Sequence, residues 1–137
     1  MDFRLRGNDE YLSFFEVADE DEGRRVAAAF RVIRDGRPDS IDFIIFARQS
    51  LLDAGIEVEH KPDDCLPEFL SSRHVGTRGL HHEPKREFII QLLLDDSKIV
   101  IRLKPKEIEQ LARRLLDEIP SLRDHLGEHW RAIISSE

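Results

Sequence analysis

The side chains best suited to chemistry lie near the C-terminus, in HLGEHW (His125–Trp130). His125 and His129 are four residues apart, so on an α-helix both rings share one side and could ligate one metal ion, with Glu128 beside them. A second group lies upstream. Cys65, His74, His81 and His82 supply the sulfur and nitrogen ligands that zinc takes in tetrahedral array. A third chemistry belongs to SSRHVGTRG (Ser71–Gly79), which carries Arg73 and Arg78, hydroxyls on Ser71, Ser72 and Thr77, and two glycines. Guanidinium forks match phosphate or carboxylate, and glycines let backbone N–H groups converge on an anion.

In its letters, HLGEH resembles the inverzincin signature H-x-x-E-H of zinc peptidases. Membership would imply a metalloprotease with a third ligand, a glutamate well downstream on another helix. Eight residues follow His129, and Glu137 is the one acid among them. Helical geometry also works against this use. With Leu122, Leu126, Trp130 and Ile133 inward, His129 lies about 60° from the centre of the apolar face and His125 about 100°. Glu128 lies roughly 160° away, toward water. The expectation is a helix that packs through Leu126 and Trp130 with two histidines at its edge, not a protease. Zinc binding stays as an alternative, with His125, His129, Cys65 and His74 as candidate ligands, although no C-x2-C spacing supports it. Cys65 otherwise reads as a small hydrophobe. No cofactor is predicted.

The basic segment fits neither the P-loop nor the dinucleotide pattern, each of which needs fixed glycine spacing between strand and helix. Its alternative role is binding of a phosphate-bearing ligand or a nucleic-acid backbone, in a small enzyme or otherwise, by Arg73, His74, Arg78, His81 and His82. The net charge of −7 over 137 residues argues against nucleic acid and anionic membranes. Charge is unevenly spread. Ser71–Arg86 holds Arg73, Arg78, Lys85 and Arg86 against the single acid Glu83, a net +3, whereas Asp19, Glu20, Asp21 and Glu22 are contiguous acids. Mixed-sign patches fit protein recognition, so those four acids are protein-binding candidates. No Ser-His-Asp arrangement, G-x-S-x-G elbow or singled-out carboxylate pair is readable. The functional expectation is a non-enzymatic protein-binding regulator, inhibitor or adaptor. Cys65 is the one cysteine, which suits a reducing compartment. The start, MDFRLRGNDEY, lacks a signal-peptide apolar run, and no run approaches the roughly 18 residues that span a bilayer. A cytoplasmic protein away from membranes is expected, with its oligomeric state open.

The elements that must position these residues follow from periodicity. YLSFFEVA (Tyr11–Ala18) reads as a strand. RRVAAAFRVIRDG is ambiguous: Val26, Ala28, Phe30 and Val32 alternate, while Val26, Ala29, Phe30 and Ile33 share a helical face. The short connection from Tyr11–Ala18 favours a hairpin and a second strand. IDFIIFA (Ile41–Ala47) reads as a strand, although Ile41, Ile44, Ile45 and Leu52 could line a helix. LLDAGIEVE reads as a helical turn closed by Gly55, with Ile56–Glu59 extended. His60–Arg86 reads as a long loop interrupted by a short helix near Pro67–Ser72. EFIIQLLLDDSKIVIRL suggests two strands joined near Asp95–Ser97. KPKEIEQLARRLLDEIP is an amphipathic helix entered through Pro105 and stopped by Pro120. Ser121 with Asp124 resembles a capping box opening a last helix to about Ile134. The expected fold, a single domain over residues 1–137, is α+β: an antiparallel sheet of about five or six strands covered on one face by two C-terminal helices.

Overall fold

Acids followed by alanines set the first turn of the architecture. In a computed structural model, which describes residues 12–33, 39–77, 83–94 and 99–135, strand β1 (Leu12–Phe15) leads into helix α1 (Glu20–Val32). Asp19 caps this helix, its carboxylate accepting the Glu22 N–H at 2.8 Å. Glu20, Asp21 and Glu22 fill the first turn, where negative charge suits the helix dipole. Over residues 24–34, where a strand is expected, the chain is helical as far as Val32. Three consecutive alanines favour helix locally, and the preceding acids supply its start. Ala27, Ala28 and Ala29 are all buried. Their small side chains let α1 seat closely on helix α5 (Pro105–Glu118), its main helical neighbour.

Strand β2 (Ile41–Ile45) falls within the strand expected over Ile41–Ala47 and leads to α2 (Arg48–Asp53). Gly55 closes α2 as expected, at φ +76°. The Ile56 N–H returns to the Leu51 carbonyl and the Gly55 N–H to the Leu52 carbonyl, while Leu51 and Ile56 pack together. This is a Schellman ending, whose left-handed residue favours glycine. Strand β3 (Val58–His60), helix α3 (Glu68–Ser71) and strand β4 (His74–Thr77) follow. Residues 60–86 are therefore not one long loop. β4 is the central strand of an antiparallel sheet ordered β1-β4-β3.

EFIIQLLL is also not a strand. It forms most of α4 (Glu83–Leu94), in which Ile89 is buried and Leu92 packs on the same cluster. A continuous apolar run carries no period that separates strand from helix. The expected hairpin partner of β5 (Ile99–Leu103) is replaced by β2, antiparallel with Ile41 opposite Leu103 and Ile45 opposite Ile99. The α+β class and antiparallel pairing stand, but the strands form two sheets, of three and two.

The main core joins α1, β5 and α5 to the C-terminal segment, with Val32, Leu103, Ile108, Leu115, Leu122 and Trp130 almost fully buried. A second, smaller cluster is Leu51, Ile56 and Ile89. No helix among the described residues is long and apolar enough to cross a membrane.

Candidate functional site

Between the two sheets lies a cleft of about 460 Å³. The C-terminal ends of β1 and β2 flank it. α1 roofs it so tightly that a Cβ built on Gly23 would stand 3.0 Å from the Ile45 Cδ1. Phe14 and Phe15 enter from β1, Phe30 from α1, and Phe43 and Phe46 from β2 and the residue after it. Five of the chain's eight phenylalanines thus line one cavity. Phe30 is half exposed at 50%. Edge-on ring pairs tie the walls together, Phe14 to Phe46 at 5.4 Å and Phe15 to Phe30 at 5.8 Å between centroids. A Glu16–Arg48 ion pair joins the same ends. Asp42 also lines the cleft, held by a two-pronged ion pair from Arg102 across the strand pair at 2.6 and 2.9 Å. Hydrogen bonding from Arg102 holds the Asp42 carboxyl below its ordinary pKa, and the Arg102 pKa is raised in return. The site is an aromatic cavity with few polar groups, the usual composition of a recognition site.

The walls are joined by side chains, not by backbone. β1 and β2 belong to different sheets, and their Cα atoms stay largely beyond 8 Å of one another. Directly paired strands lie about 4.8 Å apart.

Comparison with protein-family models, curated proteins and solved structures gave no match. Function must therefore be argued from the chain's own geometry.

That geometry disposes of the H-x-x-E-H arrangement as a helical motif. A 3-10 segment (Pro120–His125) ends at His125, and Leu126 is extended, bridging to Ile33. The Gly127 N–H donates to the Val32 carbonyl at 2.7 Å, and helix α6 (Glu128–Ser135) begins only after it. His125 and His129 are not on one helix, because two backbone contacts with the end of α1 break it between them. Leu126 and Trp130 are buried as expected, whereas both histidines are exposed. Among the described residues no three His, Cys, Asp or Glu side chains gather as a metal-binding group. The Cys65 side chain is exposed and not packed as a hydrophobe.

The two oppositely charged patches meet each other. The Arg73 Nε donates to Glu22 at 3.0 Å, and its Nη1 donates to the Phe69 carbonyl at 2.7 Å. The guanidinium also stacks on the Phe69 ring, 4.3 Å from its centroid. Of the acids, Asp19 caps α1, Glu20 pairs with Arg24, Glu22 takes Arg73, and Asp21 is exposed. Arg73 thus joins α3 to α1 through contacts within the fold. His74 faces the other way, with its Nδ1 2.5 Å from the Lys61 carbonyl and its ring edge-on to Phe15. Arg78, His81 and His82 lie outside the described residues.

Reading by residue chemistry favoured charged and ligating side chains and passed over the phenylalanines. The available signal was compositional: eight Phe against one Tyr and one Trp, crowded around FF, AAAF and DFIIF.

Proposed function

We propose that the chain is a non-enzymatic protein-binding domain of the regulator, inhibitor or adaptor kind, and that the aromatic cleft between β1 and β2 is its recognition surface. The observation that carries this reading is the clustering of five phenylalanines around a cavity that a well-packed core leaves open. The main core, by contrast, seals its largest side chain, Trp130, to 1% exposure. An aromatic-lined cavity with a polar rim has the anatomy of an interface centre, where desolvated aromatic anchors contribute most of the binding energy. The acidic stretch Asp19–Glu22 forms the cap and first turn of the helix that roofs this cleft, and the exposed Asp21 can contribute at the rim.

Site-specific photo-crosslinking tests the reading. A photoreactive phenylalanine analogue at position 30 should join the chain to one polypeptide species in its source cells. The same analogue at position 88, where Phe88 is exposed on α4 outside the cleft lining, should not. The captured polypeptide should then bind the purified chain, and Phe30→Ser should weaken that binding by about 2 kcal/mol or more. Equal capture at both positions, or an apolar small molecule filling the cleft at one-to-one stoichiometry in native mass spectrometry, would overturn it.

A further inference from the structure

Resting on that reading, we infer that the occupant of the cleft is a short extended polypeptide segment, which lies between β1 and β2 as an added strand and joins the two sheets into one.

The backbone of β1 identifies this chemistry. The Glu16 N–H donates to the Arg73 carbonyl at 2.8 Å, so Glu16 and Arg73 form a hydrogen-bonded pair of the β1–β4 ladder. Antiparallel pairs alternate. Phe14 and Val75 are then hydrogen-bonded, while Ser13 opposite Gly76 and Phe15 opposite His74 are not. The N–H and C=O groups of Ser13 and Phe15 therefore point away from β4, and both residues line the cleft. The other side of the sheet agrees: the His74 carbonyl accepts from the Lys61 N–H at 2.8 Å, toward β3 and away from β1. Among the described residues β2 has β5 on one side only, so alternate residues of β2 also turn their backbone groups away from a paired strand.

Two strand edges whose outward donors and acceptors have no strand partner among the described residues thus border one cavity. A lipid or an apolar small molecule could meet the phenyl rings but could not satisfy a row of alternating N–H and C=O groups. An extended peptide satisfies both. A strand laid between two others needs flanks roughly 9.6 Å apart, twice the ordinary spacing. β1 and β2 belong to different sheets and stand further apart than directly paired strands. Natural sheets guard open edges with lysine, proline or bulges. β1, LSFF, has none of these, and in β2, IDFII, the one charge is Asp42, already paired with Arg102. Added strands take affinity from main-chain hydrogen bonds and specificity from side-chain pockets. Here the pockets are those between the phenylalanines, so the segment carries apolar side chains on the face toward α1.

The probe is a displayed library of random seven-residue peptides, with the tightest binder then synthesised. Its binding should slow amide exchange at Ser13 and Phe15 by about tenfold or more, the equivalent of one or two gained backbone hydrogen bonds. N-methylation of alternate peptide residues in one of the two frames should abolish binding. Ser13→Pro removes an outward N–H without touching the β4 ladder, so it should keep the thermal midpoint and lose about tenfold in affinity, while Ser13→Ala binds normally. The exchange and N-methylation measurements use the unaltered protein and stand even if Ser13→Pro folds poorly. If the peptide binds and Phe30→Ser prevents it, yet Ser13 and Phe15 stay unprotected and both N-methylated forms bind, the added strand is wrong and the protein-binding reading survives. If the library yields no binder, the added strand is again overturned, and crosslinking at position 30 decides the broader reading separately.

Discussion

Trp130 and Phe30 are both large aromatic side chains on helices, and the fold treats them in opposite ways. Trp130 is sealed at 1% exposure among the main core residues, whereas Phe30 remains half exposed above four other phenylalanines. The first region is a core closed by this chain alone. The second has the residues of a core and, among the described residues, no element that closes it. An isolated exposed apolar residue needs no explanation, but a cluster around a cavity marks a surface that something else covers.

The sharpest test of the contrast is to truncate each aromatic in turn. Trp130→Ala should destabilise the chain by about 3–5 kcal/mol, a large part of a typical domain's total stability. Urea titration would measure the loss, and a change below about 1 kcal/mol would deny the closed-core description. Phe30→Ser, by contrast, should move stability by no more than about 1 kcal/mol while reducing partner binding. Equal destabilisation by the two would make the cleft ordinary core.

Arg73 tests a related distinction, between a charge held by the fold and one offered to a ligand. Arg73→Ala removes the contact with Glu22, the bond to the Phe69 carbonyl and the ring stacking together, and should cost roughly 1–3 kcal/mol. Arg73→Lys should recover only part, because ammonium cannot reproduce a planar fork over a ring. If Arg73→Ala left stability unchanged but abolished stabilisation by inorganic phosphate, the anion-site reading would take precedence.

What could be read from residue order divides along the same line. Local signals worked where one element carried its own punctuation: Pro105 and Pro120 around α5, Gly55 after α2, β-rich IDFII for β2. They failed where the deciding partner was remote. RRVAAAFRV and EFIIQLLL fit either period, and burial against α5 or the Leu51 cluster settles each as a helix. The predicted helix through HLGEHW breaks because Leu126 lies in a β-bridge opposite Ile33, closed by the bond from the Gly127 N–H to the Val32 carbonyl, over ninety residues earlier. The cleft is harder still, since its five rings come from three separate stretches of chain and no spacing connects them. The charged patches were legible as patches, but their mutual pairing through Arg73 and Glu22 was not.

The Schellman ending of α2 offers a smaller effect, confined to the second cluster. Gly55→Ala meets no atom within 4 Å, so any cost comes from its φ of +76° alone. A loss of about 1–2 kcal/mol is expected, seen as a lower denaturation midpoint with an unchanged slope. Gly55→Asn should lose less, since asparagine tolerates the left-handed region.

The smallest effect belongs to the Asp42–Arg102 pair at the edge of the cleft, and pH isolates it. Asp42 has a folded-state pKa lowered from its ordinary value of 3.8. Its ionised form is therefore the one the fold favours. The contribution is fully present above that ordinary value and is lost as pH falls through the lower folded value. Asp42→Asn should accordingly be less stable than the parent at neutral pH, with the gap closing in acid. Both groups are exposed, so the gap should be slight and should shrink further in high salt. A gap that widened in acid would mean that Asp42 is favoured in its protonated form, and the cleft would then carry a proton-donating group at its edge where the present geometry places only a paired charge.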